Sequence, residues 1–334
     1  MKKLMLGLVA AFAVTAFAAP SVKINNVETA NPWDGTKGTI KVDYSLAGLD
    51  SAFIYEVAFD VTAKNETKTF TNAVARLADG TYTNFIDTAM LFGTEVVAKN
   101  ANVKISLIAV ELPPAGQLWE DGPIFAECNV GATKPEEYGY YFWWGDTVGY
   151  KRNANNNGWV SVKDATQTIQ FAPNDPTAGQ TCNKDADTLK LEGWTDDSGN
   201  LVVSDVATEN HDAARAHLGA PWRMMTDAEL QKLVNDCERT WVDNYKGKSV
   251  KGYVVTGKAG TLYANNEIFF PAAGYGGGSG LSGTGIVGHY RSSTPEPSSS
   301  NNAQYLGFIL GSFGRSSGSR CNGFVVRPVR GSAE

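Results

Sequence analysis

The end of the chain, residues 269–330, constrains the fold more than any other stretch. Between the short apolar runs 268–271 and 324–329, the sequence is rich in Gly, Ser, Asn and Tyr and carries few charges. Such a composition offers little apolar surface to bury and would be disordered on its own. Because strand-like runs frame it and aromatic residues recur inside it, we interpret it as loops displayed on a scaffold, where binding residues concentrate. A glycine-rich closing sheet that only completes the fold is the alternative, and composition does not decide between the two.

The start of the chain has the pattern of an export signal. Lys2 and Lys3 precede an apolar run at 4–17, and Ala16-Phe17-Ala18 is a small-x-small cleavage motif. The run is too short to cross a membrane comfortably, and no other apolar stretch is long enough. The sequence therefore predicts a signal peptide at 1–19 and an exported product without a transmembrane segment, located outside the cell, at its surface or in the periplasm.

The charge balance argues against one class of partner. The chain has 29 Lys and Arg against 35 Asp and Glu, a formal net charge of −6. Removal of Lys2 and Lys3 makes the product more acidic still, and no basic block is present. Nucleic acid is therefore not expected as a partner.

The length of 334 residues favours two domains. Residues 20–112 alternate apolar and polar positions, as in the run from Ile40 to Leu46, and turn signals separate these runs. This pattern predicts an all-β sandwich of the immunoglobulin or fibronectin kind. The segment 113–116, Pro-Pro-Ala-Gly, breaks the pattern and is interpreted as a linker.

Residues 117–331 mix short strands, polar loops and two helices, which predicts an α+β domain. Residues 151–185 are interpreted as a long surface loop, and the first helix is expected at 212–218. The second helix begins at the capping-box pair Thr226 and Glu229. Its buried stripe has the spacing i, i+3, i+4 and i+7, at Leu230, Leu233, Val234 and Cys237.

Five segments of this second domain occur together in one known family. They are 125–139 with Trp144-Gly145-Asp146-Thr147, Leu218-Gly219 with Pro221-Trp222-Arg223-Met224, 269–275, Ser292-Ser293-Thr294-Pro295, and 325–329. Together they resemble the Fibrobacter major paralogous domain family, over essentially all of 117–331. The resemblance implies a C-type-lectin-like fold, shared with formylglycine-generating enzymes, and does not imply an activity.

The chain departs from that family at two places: Arg291 stands where an aromatic residue is usual, and Met224-Met225 where Met-Pro is usual. The first domain resembles, more loosely, an immunoglobulin-like module of exported bacterial proteins, through 31–35 and 86–89. That resemblance implies a spacer or docking role.

The ligand-binding residues are expected in the displayed segment, because aromatic and basic side chains there stand among small residues. No catalytic residue, metal ligand or cofactor is predicted. The acids Glu136, Glu137 and Asp146 are interpreted as a solvated turn after Pro135 rather than the opposed carboxylates of a glycosidase. The predicted binding residues are His289, Tyr290, Arg291, Tyr305, Gly307, Ile309, Phe313 and Arg315.

The four cysteines of an exported chain are candidates for disulfides. The alternation at 124–130 places Cys128 on an inward strand face, and the helical stripe places Cys237 inward. We therefore predict a Cys128–Cys237 bridge, with two buried free thiols as the alternative. Cys321 pairs with Cys182 or remains free. The formylglycine-generating relatives use two reactive cysteines near their C-terminal end, where this chain has only Cys321, so their oxidase chemistry is not expected.

The stretch 305–320 contains no Lys, Glu, Gln, Met or Trp. Mutation of the adenines in Asn codons yields Tyr, Leu, Gly, Phe, Ile, Ser and Arg and never those five types. The stretch thus resembles the variable regions that diversity-generating retroelements produce in some lectin-fold proteins. An ordinary small-residue loop would lack the five types by chance fairly often.

The sequence therefore predicts an exported protein that binds an unknown protein or glycan ligand through its C-terminal surface. Two other hypotheses stay open, a polysaccharide-active enzyme and a purely structural or adhesive surface protein.

Overall fold

A computed structural model describes residues 20–30, 38–49, 53–71, 79–111, 113–171 and 181–331. The chain divides into two compact units, the first ending at Leu112 and the second beginning at Pro113. Strands far outnumber helices in both, so the fold is β-rich. The predicted signal peptide and the 31–35 motif lie outside the described residues.

The first unit contains two antiparallel sheets of three strands, with the orders β1-β2-β5 and β4-β3-β6. One five-residue helix, α1, follows β5, and a 3₁₀ turn precedes β6. The strands are β1 Ser21–Ala30, β2 Thr39–Ala47, β3 Phe53–Ala63, β4 Glu66–Thr71, β5 Gly80–Asp87 and β6 Asn102–Glu111, with α1 at Thr88–Phe92.

The two sheets share one apolar core. Alternate residues of β2 are almost inaccessible to solvent and pack with alternate residues of β3 from the other sheet. The apolar residues that alternate in the sequences of β2 and β3 are therefore the residues that are buried in the structure. Helix α1 was not predicted, because five residues are too few for a helical period; Asp87 caps it by accepting hydrogen bonds from Ala89 N and Met90 N.

The second unit is built on an eight-stranded sheet with the order β11-β10-β9-β8-β21-β18-β19-β20. Two three-stranded sheets, β12-β22-β7 and β13-β14-β15, and the hairpin β16-β17 accompany it. The strands are β7 Ile124–Phe125, β8 Tyr141–Phe142, β9 Tyr150–Arg152, β10 Trp159–Ser161, β11 Thr168–Ile169, β12 Arg223–Met224, β13 Cys237–Val242, β14 Gly252–Gly257, β15 Glu267–Pro271, β16 Tyr275–Gly277, β17 Gly280–Ser282, β18 Val287–Pro295, β19 Asn302–Ile309, β20 Ser312–Ser319, β21 Phe324–Val325 and β22 Pro328–Arg330.

The described residues of this unit form three α-helices, α2 at Ala186–Leu191, α3 at Ala213–Leu218 and α4 at Asp227–Asp236. The predicted capping box of α4 is confirmed: Thr226 Oγ1 accepts from Glu229 N at 3.3 Å, and Glu229 Oε2 accepts from Thr226 N at 2.8 Å. Helix α4 packs Leu230 and Leu233 into the main core. It ends one residue before Cys237, which begins β13.

The segment predicted as a linker is tied to the second unit by hydrogen bonds. Pro114 O accepts from Gln117 N at 3.0 Å and from Asn266 Nδ2 at 3.1 Å, and Gly116 O accepts from Phe125 N at 3.0 Å. The prediction that 151–185 is one long loop is wrong in part, because β10, β11 and the end of β9 lie inside it.

Three arginines of the second unit are fully buried, and none forms an ion pair within the described part of the chain. Each guanidinium instead lies over an aromatic ring: Arg291 over Phe324 at 3.8 Å, Arg320 over Trp144 at 4.9 Å and Arg327 over Phe270 at 5.0 Å. Arg320 also donates four hydrogen bonds to backbone carbonyls, those of Asn302, Thr181, Lys184 and Ser300. Arg327 donates to Asn129 Oδ1 and to the carbonyls of Ala126, Glu127 and Phe269.

The disulfide prediction is wrong. Cys128 and Cys237 are free thiols, and the bridge joins Cys182 to Cys321, whose Cα atoms are 6.5 Å apart. The strand that was expected to carry Cys128 ends at Phe125, so the alternation does not extend to residue 128. Of the two alternatives left open for Cys321, the structure has the bridge to Cys182.

Candidate functional site

The predicted binding residues are carried by the antiparallel strands β18, β19 and β20, whose register decides which way each residue faces. His289 pairs with Gly307 and Arg291 with Tyr305, whereas Tyr290 pairs with Leu306. Directly paired residues share a face, and neighbours along a strand alternate. The eight residues therefore divide between two faces: His289, Arg291, Tyr305, Gly307 and Ile309 lie on one, and Tyr290, Phe313 and Arg315 on the other.

The second of these faces is the core side of the sheet. Tyr290 is fully buried and donates a 2.7 Å hydrogen bond to Pro271 O. Phe313 is buried and stacks on Phe308 at 5.6 Å. Arg315 forms a two-point ion pair with Asp227 in the first turn of α4, at 2.8 and 2.6 Å. Tyr290 and Phe313 are therefore part of the core, which corrects their interpretation as ligand contacts. Arg315 is exposed and joins β20 to helix α4, and its role in ligand binding stays a prediction.

The other face carries a connected group of rings. Tyr275 of β16 stacks on His289 at 5.1 Å, and His289 lies 4.8 Å from Tyr305, measured between ring centroids. Buried Phe324 supports the group from below, 4.8 Å from His289 and 4.9 Å from Tyr305. Tyr275, His289 and Tyr305 are all partly exposed. We call these three rings, with Phe324, the aromatic face.

Tyr275 is not among the binding residues predicted from sequence, and it lies on β16, outside the hairpin that carries the others. The only signal was its place in the series of aromatic residues spaced through the glycine-rich segment. The bridge between Gly274 and Gly288 brings β16 beside β18 and places the ring of Tyr275 on His289.

Glycines allow Tyr305 to lie along the sheet. A Cβ atom at Gly307 would stand 2.8 Å from Tyr305 Cε2, and one at Gly318 would stand 3.0 Å from Cε1. Larger residues at these positions would force the ring away from the strands. Gly314, the partner of Gly307 across the hairpin, faces open space. The glycine-rich composition of β19 and β20 thus creates a shallow surface with one flat ring on it.

The aromatic face is neutral at its rings and positive beneath them. Burial, with the nearby charge of Arg291, lowers the pKa of His289 to about 4. Burial also lowers the pKa of Arg291, to about 9, which leaves it charged at pH 7. Arg291 donates through Nη2 to the carbonyls of Ser319 and Asn322, while its Nε and Nη1 have no hydrogen-bond partner within the described residues.

An aliphatic edge borders the aromatic face. Ile309, on the same face, is 47% exposed, and Leu310 in the β19–β20 turn is 67% exposed. Ile286, just before β18, is 65% exposed. Large apolar side chains exposed together mark interaction sites more often than isolated ones do.

The acids considered for catalysis differ in their surroundings. Glu137 Oε2 accepts from Thr133 N at 2.7 Å and from Lys134 N, so it closes its own turn. These bonds hold the pKa of Glu137 below its usual range. Asp146 is buried instead of solvated, which corrects its interpretation as part of an exposed turn. Within the described residues, no group of three or more His, Cys, Asp or Glu side chains could hold a metal ion.

Among the helices that the structure describes, none is long and apolar enough to cross a membrane. Comparisons with protein-family models, with curated proteins and with solved structures gave no match.

Proposed function

We propose that this chain is an exported recognition protein that binds its ligand through the aromatic face. The observation that carries the proposal is the continuous set of partly exposed rings, Tyr275, His289 and Tyr305, on a glycine-lined sheet. Rings held rigidly by a sheet offer a large contact area at a small entropy cost.

A glycan is the ligand that this surface suits best. The rings are flat and uncharged at pH 7, and the residues around them are Gly and Ser, so the surface can pack against the C–H side of a sugar. A protein ligand is the second candidate, because the exposed aliphatic edge of Ile286, Ile309 and Leu310 borders the rings.

The proposal is tested by binding of the full chain to a glycan array, followed by titration of the best glycan. We expect Tyr305→Ala and Tyr275→Ala each to weaken binding at least tenfold. Tyr263→Ala is the matched control, since Tyr263 is a partly exposed tyrosine of the same unit outside the aromatic face. Binding that both variants leave unchanged would place the site elsewhere, and hydrolysis of a polysaccharide panel would favour the enzyme hypothesis.

We also propose that the second unit has a C-type-lectin-like fold and that the first unit is an immunoglobulin-like domain that acts as a spacer. Five motifs in order support the former, and two sheets around one core support the latter. An experimental structure tests both, and a second unit with a different connectivity from the lectin-like fold would contradict the first.

Export is proposed from the signal pattern at 1–19 and is supported by the Cys182–Cys321 bridge, because such bridges persist in oxidising compartments. Mass spectrometry of the chain from a secreting host should find an N-terminus near residue 19 or 20. A product in the cytoplasm that retains Lys2 and Lys3 would contradict export.

Diversification by a retroelement is proposed for the outward positions of 305–320 only. The outward residues Tyr305, Gly307 and Ile309 contact solvent, whereas Leu306 and Phe308 between them are buried. Variation at buried positions would destabilise the sheet. The test is a search of the source genome for a nearby repeat that differs at adenines in the outward codons; differences confined to the inward codons would contradict the proposal.

A further inference from the structure

The outermost strand of the large sheet, β20, has an uncovered edge. It stands last in the order of the eight-stranded sheet, and β19 is its only neighbour among the described strands. If only one face of β20 were open, buried and exposed residues would alternate along it. Instead Arg315, Ser316 and Ser317 are exposed in succession. The edge itself is therefore open to solvent along these three residues.

The register of the hairpin shows which backbone groups this edge presents. The two residues that flank the turn between β19 and β20 pair directly, and across so short a turn they must exchange hydrogen bonds. Such pairs recur at every second residue, which makes Ser316 and Tyr305 a hydrogen-bonded pair. The N–H and C=O groups of Arg315 and Ser317 then point away from β19. Within the described residues they have no hydrogen-bond partner.

This edge lacks the features that commonly keep sheet edges from pairing with another chain, which are lysine, proline and bulges. Strand β20 contains no Lys and no Pro, and its register with β19 has no irregularity. Its one charged side chain, Arg315, is neutralised by the ion pair with Asp227 at 2.8 and 2.6 Å. A further strand can therefore add to the sheet at this position.

The charges beside the edge indicate which strand fits. Glu296 accepts a hydrogen bond from Gln304, the residue that pairs with Ser317, so its carboxylate lies on the face that also carries Arg315. Arg315 binds Asp227 through Nε and Nη2, and its Nη1 has no hydrogen-bond partner in the part of the chain that the structure describes. An incoming strand should therefore bring an acid near Arg315 and a base near Glu296. The same edge, running in the opposite direction, supplies both.

We propose that two copies of this chain pair through antiparallel β20 strands, with Ser316 of one copy opposite Ser316 of the other. Arg315 of each copy then lies opposite Ser317 of the other, on the side of the other copy's Glu296. Each of these two pairs exchanges two backbone hydrogen bonds. The register that places Arg315 opposite Arg315 is disfavoured, because like charges would face each other. The Ser and Gly side chains of β20 offer no pockets that could select the side chains of a foreign peptide.

The dimer should be weak and reversible. An interface of a few residues on each strand falls below the ~1,200 Å² at which standard stable interfaces begin. Because Tyr305 pairs with Ser316, the two Tyr305 rings would stand in one row on the same face, three strand spacings or about 14 Å apart. The dimer would thus present two aromatic faces to a repeated ligand. This consequence rests on the proposed function, whereas the pairing itself does not.

The first test is sedimentation velocity of the full chain between about 1 and about 500 µM. We expect a monomer at the lowest concentration and a growing dimer fraction above about 100 µM. Ser317→Pro removes an N–H that β19 does not use and should weaken association at least tenfold. Ser317→Ala keeps this N–H and is the matched control, with association within about twofold of the original chain. Glu296→Gln should weaken association by roughly two- to fivefold, as loss of an exposed ion pair does.

Amide hydrogen exchange followed by NMR needs no variant and covers the case in which Ser317→Pro does not fold. Exchange at Arg315 and Ser317 should slow as the protein concentration rises, whereas Ser316, bonded to Tyr305 within each copy, should change little. Tyr305→Ala should still dimerise, so this proposal and the proposed function can fail separately. A monomer at every concentration, equal association of Ser317→Pro and Ser317→Ala, or exchange at Arg315 and Ser317 that does not depend on concentration overturns the proposal.

Discussion

At the scale of residues, the second unit uses arginine where a core would normally hold apolar side chains. Arg320 and Arg327 are stable there because Nε and Nη1 of Arg320 and all three nitrogens of Arg327 donate to oxygen atoms, and both guanidinium planes lie on rings. Arg291 has the same burial but uses only one of its nitrogens in hydrogen bonds within the described residues. These roles were not predictable from sequence, because Arg291 and Arg320 stand among small polar residues, as surface arginines often do.

This difference predicts unequal costs for the same substitution. Arg327→Lys should lower the free energy of unfolding by about 2–4 kcal/mol, because lysine cannot reproduce the planar set of donors and leaves buried carbonyls unpaired. Arg291→Lys should cost clearly less, since fewer bonds are lost. Denaturant unfolding of both variants measures the two free energies of unfolding. An equal decrease in both would contradict the difference in hydrogen bonding described for Arg327 and Arg291.

Two buried carboxyls predict a pH dependence of stability. Burial raises the pKa of Asp146 to about 7 and that of Asp212 to about 6, above the ~3.9 of an exposed Asp. The folded state then binds more protons than the unfolded state between these values, so this contribution to stability is present at low pH and is lost as pH rises through about 6–7. We expect the fall in unfolding free energy between pH 5 and pH 8 to be smaller in Asp146→Asn; an unchanged fall would contradict the raised pKa.

At the scale of elements, strands with one buried face and the capped helix were predictable, and the short strands were not. Apolar and polar residues alternate in β2 because one side of the strand is buried and the other faces solvent. The start of α4 was predictable from its capping residues, Thr226 and Glu229. Strands β7 to β11 have two or three residues each, too few for any period. The face of β18–β20 was only half predictable: the aromatic residues were recognised, but the register that turns Tyr290 inward depends on partners distant in sequence.

Gly323 and Gly314 differ in their surroundings. Replacement by alanine should therefore change the stability of the protein differently at the two positions. A Cβ at Gly323 would stand 2.5 Å from the ring of Phe171, whereas one at Gly314 meets nothing within 4 Å. Gly323→Ala should destabilise by about 1–3 kcal/mol through overpacking. Gly314→Ala should be neutral or stabilise by up to about 1 kcal/mol, because it restricts the unfolded chain. Thermal unfolding of the two variants decides, and a larger loss in Gly314→Ala would contradict the packing described for β20 and β21.

At the scale of the whole molecule, the second unit carries its own core, its own bridge and hydrogen bonds to its first residues. The Pro-Pro break marked the boundary in the sequence, because prolines interrupt strand pairing. The pairing of Cys182 with Cys321 was not predictable, since four cysteines allow three connectivities and only the folded chain brings 182 beside 321.

We expect a fragment of residues 113–334 to fold alone with a single cooperative thermal transition. The fragment begins at 113 because Pro114 O accepts hydrogen bonds from the unit. Circular dichroism measures the transition. If the fragment aggregates and addition of the first unit as a separate chain prevents this, the second unit does not fold independently.

Reduction of Cys182–Cys321 should destabilise this fragment by about 3–5 kcal/mol, as a bridge that closes a long loop does. Its native spectrum should persist in mild conditions, because Arg320 still binds the carbonyls of Thr181 and Lys184. Complete unfolding on reduction at 25 °C would show that the arginine does not hold this loop by itself.

The place of β21 has a consequence for how the protein is made. Residues 324 and 325, which follow all the other described strands of the eight-stranded sheet in the chain, fill the gap between β8 and β18. The sheet therefore cannot close while the chain is still emerging, and a product that stops before residue 324 leaves β8 and β18 without their common neighbour. Such truncated products would expose unpaired strand edges, which are prone to pair with other chains.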